Sequence, residues 1–344
     1  MRATQLHAPG DIRLDEVPDP TIQDPTDAVI RVTHTCICGS DLWPYRGISA
    51  REGTVRIGHE YVGVVEEVGS AVTAPKPGDR VVAPFAFGDG SCDYCAEGLW
   101  TSCRNGGFWG SNGIDGGQGE RIRAPFADAN LVRIPDEIGD EKLPAILALS
   151  DVMGTGHHAA VAAGVKPGHT VVVVGDGAVG LCGVLAASRL GASRIIAMSR
   201  HESRQKVALQ FGATDIVAER GKEATARVRD LTDGVMAHAV LECVGTEQAM
   251  TTAFKVARDG ATVGYVGVPA QVEPLDVRQL FGRNVGLRGG VAPVRSYIPE
   301  LMADVATDRI DPAPVFDLEL PLSEVAEGYK AMDERRAIKV LLRP

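Results

Sequence analysis

The stretch that most restricts the fold is residues 170–192, TVVVVGDGAVGLCGVLAASRLGA. A β-branched run reads as a buried strand, and Gly175, Gly177 and Gly180 follow in G-x-G-x-x-G spacing. An apolar helix-forming segment comes next. The first glycine permits the tight turn. The second lets a pyrophosphate approach the backbone of Gly177, Ala178 and Val179, and the third lets the helix pack on the strand. Unpaired N–H groups at the helix start favour phosphate. A chain with 40 glycines can produce the spacing by chance, but the strand before it and the helix after it make it a dinucleotide turn.

The runs RIIAMS, HAVLECVG, ATVGYVG and VGLRGG repeat the β-branched pattern, most of them separated by helix-length segments such as 178–190 and 201–211. That alternation predicts a parallel α/β sheet. An acid about twenty residues after the hexad would bind the adenosine ribose of NAD. Here the place reads Met198-Ser199-Arg200-His201, with no acid before Glu202. Ser199 and Arg200 can bond and neutralise a 2′-phosphate, with Arg204 one helical turn on. NADP is therefore expected over NAD; the alternative is a solvated Arg200 and NAD.

The first 150 residues are mainly β in pattern. Short strands broken by Pro and Gly fill 1–38, the pattern continues to about residue 85, and a loop-rich segment runs from Phe87 to Gly119. A length of 344 residues suffices for two domains. The net charge of -10 leaves no basic footprint for nucleic acid or an anionic membrane. The opening MRATQLHAPGDIRLDEV has no signal-peptide core and no run reaches a membrane span. A cytoplasmic protein is expected, in which seven cysteines are thiols or metal ligands.

Residues 38–60, CGSDLWPYRGISAREGTVRIGHE, hold a thiol, a hydroxyl and an acid (Cys38, Ser40, Asp41), then an imidazole and an acid (His59, Glu60). Zinc accepts thiolate, imidazole and carboxylate together, and a catalytic site leaves one position open. Cys38 and His59 are two candidate ligands, with Asp41 placed to orient the imidazole. Asp151 is the candidate third ligand; its alternative is a helix N-cap. The two-residue period of a strand would also put Cys36 on the same face as Cys38 if the strand continued that far.

Taken in order, CGSD, GHE, Asp151 and GDGAVG resemble the zinc-dependent medium-chain alcohol dehydrogenase family over essentially the whole chain. The resemblance implies a mixed α/β and β fold. A mainly-β GroES-like catalytic domain (1–152) would receive an inserted Rossmann domain (153–290) and be rejoined by 291–344. It selects Cys38 over Cys36 as ligand and makes Ser40 the proton-shuttle hydroxyl. Glu60 becomes the acid behind the metal, against the plainer reading of a charge paired with a cation elsewhere. Trp43 stands near where many relatives carry a relay histidine, so Trp43 and Tyr45 either line the pocket or simply pack. Asp89, Cys92, Cys95 and Cys103 fall at the spacing of the family's structural zinc lobe. The alternative is a metal-free lobe held by Trp100, Phe108 and Trp109. Lys339 would lie near the cofactor pyrophosphate or be a solvated strand-end lysine. Gly267 and Val268, and Gly289, Gly290 and Val291, would frame the nicotinamide.

The implied reaction is hydride transfer between NADP(H) and an alcohol or carbonyl, either a secondary alcohol or an aldehyde, in a homodimer or homotetramer. Alternatives are an NAD-dependent alcohol, polyol or formaldehyde dehydrogenase and a non-catalytic NADP-binding protein. Zinc-free enone reductases lack the Cys38/His59/Asp151 set. An aromatic content of 5% suggests no aromatic-lined pocket.

Overall fold

A computed structural model of the chain describes residues 1–49, 53–111, 113–269, 275 and 277–344. Its contacts divide into one unit of Met1–Asp151 with Pro293–Pro344 and a second of Val152–Ala292.

The first unit is organised by the strand Ala28–Cys36, AVIRVTHTC, most of whose residues are buried. It pairs antiparallel along its length with Tyr61–Val68. Its other edge is shared: Arg121–Ala124 pairs with the first half, and Lys339–Arg343 joins at the end through Leu341 opposite Cys36. Phe316–Pro321 lies parallel outside Lys339–Arg343, so the chain's last strand is interior to this sheet. Antiparallel pairing places the exit of one strand beside the entry of the next. Cys38 just past one strand, Glu60 just before another and Lys339 at the start of a third thus converge at one edge. Two apolar cores flank the sheet, one around Ile30, Val65, Val81 and Trp109, the other around Ile37, Leu42, Val340 and Tyr329.

The second unit is a six-stranded parallel sheet. Its strand order is Asp215–Val217, Arg194–Met198, Thr170–Val174, Ala237–Glu242, Ala257–Tyr265, Gly286–Gly289. Helices Ala178–Arg189, Glu202–Gln210, Gly221–Leu231 and Glu247–Val256 make the crossovers. The order reverses between Thr170–Val174 and Ala237–Glu242, which is where ligands of open α/β sheets bind. Val171, Val172 and Val173 are fully buried, each contributing about 1.5–3 kcal/mol relative to exposure.

The turn Gly175–Gly180 shows why glycine recurs there. Gly175 has φ of 121°, and a Cβ on Gly180 would meet Gly175 O at 2.1 Å. A Cβ on Gly177 would meet nothing within 4 Å, so protein packing does not require that glycine. Among the described residues, no helix is long and apolar enough to cross a membrane.

Candidate active site

At the strand edge of the first unit, donor atoms of Cys38, His59, Glu60 and Asp151 all lie within 4.8 Å of one another. Cys38 Sγ is 3.5 Å from Asp151 Oδ2, and His59 Nε2 is 3.4 Å from Asp151 Oδ2 and 4.0 Å from Glu60 Oε1. Asp151 follows the helix Leu143–Leu149 and is anchored through Ser150, whose carbonyl accepts from Phe85 N–H. Asp41 reaches His59 Nδ1 at 3.3 Å through Oδ1, while its Oδ2 accepts from Cys38 N–H and Gln118 Nε2. The imidazole is thus held by one nitrogen, with the other facing the donors. Ser40, exposed, has Oγ 3.5 Å from His59 Nε2.

Burial and one another's charges perturb these donors strongly. Burial pushes the Cys38 thiol up, reinforced by the Asp151 charge. Burial likewise raises Glu60, against the Lys339 charge. For His59, burial opposes charging, but Asp41 and Cys38 outweigh it and hold the imidazole well above its usual range. Glu60 Oε2 is buried without a hydrogen-bond partner, a costly state for a carboxylate oxygen. A divalent ion among these donors would favour thiolate and carboxylate and give that oxygen a partner.

Lys339 corrects the sequence expectation. It is 1% exposed, with Nζ 2.6 Å from Glu60 Oε1 and donating to Ile37 O. It is neither solvated nor free for a pyrophosphate. Glu60 is therefore paired with a cation, and its carboxylate lies within reach of the donor group. Cys36 is buried and outside that group. Tyr45 packs on Tyr329, with ring centroids 5.3 Å apart, rather than on the donors. Gln118 and Tyr329, which sequence reasoning missed, form a buried brace: Tyr329 OH donates to Gln118 Oε1, and Gln118 donates to Asp41 and to Cys36 O.

The donor atoms of Asp89, Cys92, Cys95 and Cys103 also lie within 4.8 Å of one another. Asp89 organises its own turn, accepting from Ser91 and Cys92 N–H on Oδ1 and from Asn105 on Oδ2. Those bonds hold its carboxyl well below the usual range. Burial and the neighbouring Cys103 push Cys95 up to about 12. Trp100 lies under the Arg295 guanidinium, but Trp109 packs on Phe87 and Tyr61, and Phe108 stacks on Phe85. Those two aromatics belong to the sheet and the His59 flank, not to a lobe core.

In the second unit, Ser199 is buried at the end of its strand and donates to Asp176 Oδ2 at 2.8 Å. Arg204 Nη1 donates to Asp176 O and Oδ1. Asp176, between the hexad's first two glycines, thus already engages two of the three side chains expected to meet a 2′-phosphate. Arg200 is exposed; burial, and after it the Arg200 charge, lowers Arg220, which precedes the helix Gly221–Leu231. Arg220, missed in the sequence, adds a third guanidinium to Arg200 and Arg204 at this end, with Arg204 bonded to Asp176. Gly267 N–H donates to Glu242 O beside the next strand end, and Val268 is exposed. Glu242 is buried, with Oε1 accepting from Val244 and Gly245 N–H. An acid inside the apolar run HAVLECVG was its only signal in the sequence.

A thiol–imidazole–carboxylate donor group in one unit and a glycine turn at the switch point of a parallel sheet in another define a metal-dependent, dinucleotide-linked oxidoreductase. Family models match the chain as an alcohol dehydrogenase GroES-like domain over residues 24–136 and a zinc-binding dehydrogenase over residues 178–307. The chain is 34% identical to alcohol dehydrogenase TADH from Thermus sp. ATN1, with a TM-score of 0.93 over 100% of this chain and 99% of that one. It is 35% identical to an uncharacterized zinc-type alcohol dehydrogenase-like protein, AdhB, of Bacillus subtilis, covering 100% of both. It is 33% identical to zinc-type alcohol dehydrogenase B of Aspergillus flavus, covering 100% of this chain and 81% of that protein. The chain belongs to the zinc-dependent medium-chain alcohol dehydrogenase family, with its GroES-like and Rossmann-type folds.

Proposed function

We propose that this protein interconverts a small alcohol and its carbonyl, a secondary alcohol or an aldehyde, with NADP(H) preferred over NAD(H). The observation that carries the reading is the convergence of Cys38, His59, Glu60 and Asp151 with Glu60 Oε2 unpartnered. Cys38, His59 and Asp151 would hold a catalytic zinc, and Asp89, Cys92, Cys95 and Cys103 a structural one. Zinc supplies a Lewis acid that lowers the pKa of a substrate hydroxyl, and the nicotinamide supplies the hydride acceptor. The chain's residues do the rest. Asp41 fixes the His59 tautomer, Lys339 compensates the Glu60 charge, and Ser40 carries the hydroxyl proton toward solvent from its exposed position.

Three observations support NADP. Arg200 and Arg220 are mutually close enough to interact and, among the described residues, neither forms an ion pair with a carboxylate within 4 Å, while Arg204 offsets Asp176. A 2′-phosphate would meet a net positive strand end. We also place the inserted domain at 153–290, between segments 1–152 and 291–344, and expect a dimer or tetramer in a reducing cytoplasm, in keeping with all seven cysteines being free thiols.

The test is zinc per chain by elemental analysis in wild type and Cys38→Ala, with NADPH and NADH titrated by fluorescence. Two zincs falling to one, with tighter NADPH binding, is the expected result. One zinc unaffected by Cys38→Ala would sink the catalytic-metal assignment. Arg220→Ala should weaken NADPH about tenfold and leave NADH nearly unchanged; equal losses for both would remove the 2′-phosphate assignment.

A further inference from the structure

Beside the cysteine lobe, within the first unit, lies a cleft of about 360 Å³ whose walls include Asp89, Trp100, Phe126, Asp128 and Arg295. That is the size of a small-ligand site, and none of Cys38, His59, Glu60 and Asp151 lines it. Its two acids are already engaged. Asp128 accepts from Thr73 N–H and Oγ1 and from Ala74 N–H, and Asp89 accepts from Ser91, Cys92 and Asn105 beside the cysteine thiols. Arg295, the cation of the lining, is not so matched. Its Nε donates to Ala129 O, and its guanidinium lies over the Trp100 ring, 5.2 Å from the centroid. Burial lowers its pKa with no neighbouring acid to offset it, and among the described residues it makes no ion pair with a carboxylate. A guanidinium drawn partly out of water without an anion is costly. Stacked on an aromatic face, it keeps its forked edge for a carboxylate. Phe126 is held at φ 49°, a left-handed conformation unusual for a bulky residue and of the kind that gathers at ligand sites.

We propose that this cleft is a second ligand site, which binds a small organic monocarboxylate with its carboxylate forked onto Arg295 and its apolar tail against Trp100 and Phe126. A neutral or cationic ligand would leave the guanidinium unpaired, and a bare inorganic anion would leave the two rings uncovered. Binding is non-covalent and stands apart from the alcohol-oxidoreductase reading above. Asp89 and Trp100 flank the cysteines, so an occupant braces the lobe from outside. Charged hydrogen bonds exceed neutral ones enough to favour a carboxylate over its amide isostere about tenfold.

The test is calorimetry with benzoate, benzamide and acetate on the zinc-loaded full chain carrying Cys38→Ala, so that no probe can bind a metal at Cys38. The same titrations are made with Arg295→Gln added. Benzoate should bind about tenfold tighter than benzamide, and about fivefold or more tighter than acetate, which lacks the ring. Arg295→Gln should weaken benzoate about tenfold and leave benzamide nearly unchanged. Hydrogen-exchange mass spectrometry on the wild type locates the site: benzoate should raise protection in peptides spanning 89–103. No benzoate binding, benzamide binding as tightly as benzoate, a benzoate Kd unmoved by Arg295→Gln, or unchanged protection over 89–103 would overturn the site. Acetate binding as tightly as benzoate would overturn the apolar-tail assignment. The comparison of the three probes leaves Arg295 intact, so it decides the matter should Arg295→Gln fail to fold.

Discussion

At the scale of residues, the buried pair Lys339–Glu60 is the contact with most at stake. Both side chains are 1% exposed and 2.6 Å apart, so neither charge has water to fall back on. A buried pair stabilises little compared with apolar residues of the same shape, but removing one partner leaves the other charge stranded. Lys339→Met should lower stability by about 3–5 kcal/mol, read as a fall in the urea midpoint. Combining it with Glu60→Gln should recover most of that loss, because neither member of the pair is then left as a stranded charge. A single variant within about 1 kcal/mol of wild type would show that the pair is not the compensating device described here. The pair also explains a sequence misreading. The lysine in AIKVLL looks like a strand-end charge, and its acid lies 279 positions away; only strand register brings them together.

At the scale of elements, local patterns were the most legible part of the chain. The strand, glycine turn and helix of 170–192 are local in sequence, and strand Thr170–Val174 and helix Ala178–Arg189 stand where the pattern puts them. The convergence of Cys38, Glu60 and Lys339 is a property of three strand ends, and no periodicity encodes it; the sequence reading set Cys38 and Glu60 together but put Lys339 near a pyrophosphate or in solvent. Asp176 shows the same limit, since an acid between two glycines says nothing of the Ser199 hydroxyl it engages. The glycine turn separates two roles that spacing alone merges. Gly180→Ala would push a Cβ against Gly175 O at 2.1 Å, whereas Gly177→Ala has open space. Gly180→Ala should therefore lower the thermal midpoint and weaken dinucleotide binding together. Gly177→Ala should leave the midpoint within about 1 °C while weakening binding tenfold or more, because only the pyrophosphate needs that approach. Equal midpoint losses would show that both glycines serve packing.

At the scale of the whole molecule, each of the three apolar clusters named here lies within one contact unit. The cluster around Val172, Val240 and Val263 is in Val152–Ala292, and those around Ile30 and Ile37 are in the other unit. Both metal-donor groups belong to the first unit and the glycine turn to the second. A ligand stabilises the fold it binds by RT ln(1 + [L]/Kd), about 2.7 kcal/mol at a hundredfold excess over Kd. Spread over a unit of this size, that raises a thermal midpoint by about 5–10 °C. Chelation should accordingly strip hydrogen-exchange protection from peptides spanning 89–103 and leave those spanning 170–217 unchanged. Saturating NADPH should raise protection in 170–217 and leave 89–103 unchanged. Hydrogen-exchange mass spectrometry reads both segments in one sample, so the two ligands serve as controls for each other. If chelation and NADPH each moved both segments by equal amounts, the units would unfold as one cooperative body, and two separate cores would be the wrong description of its stability.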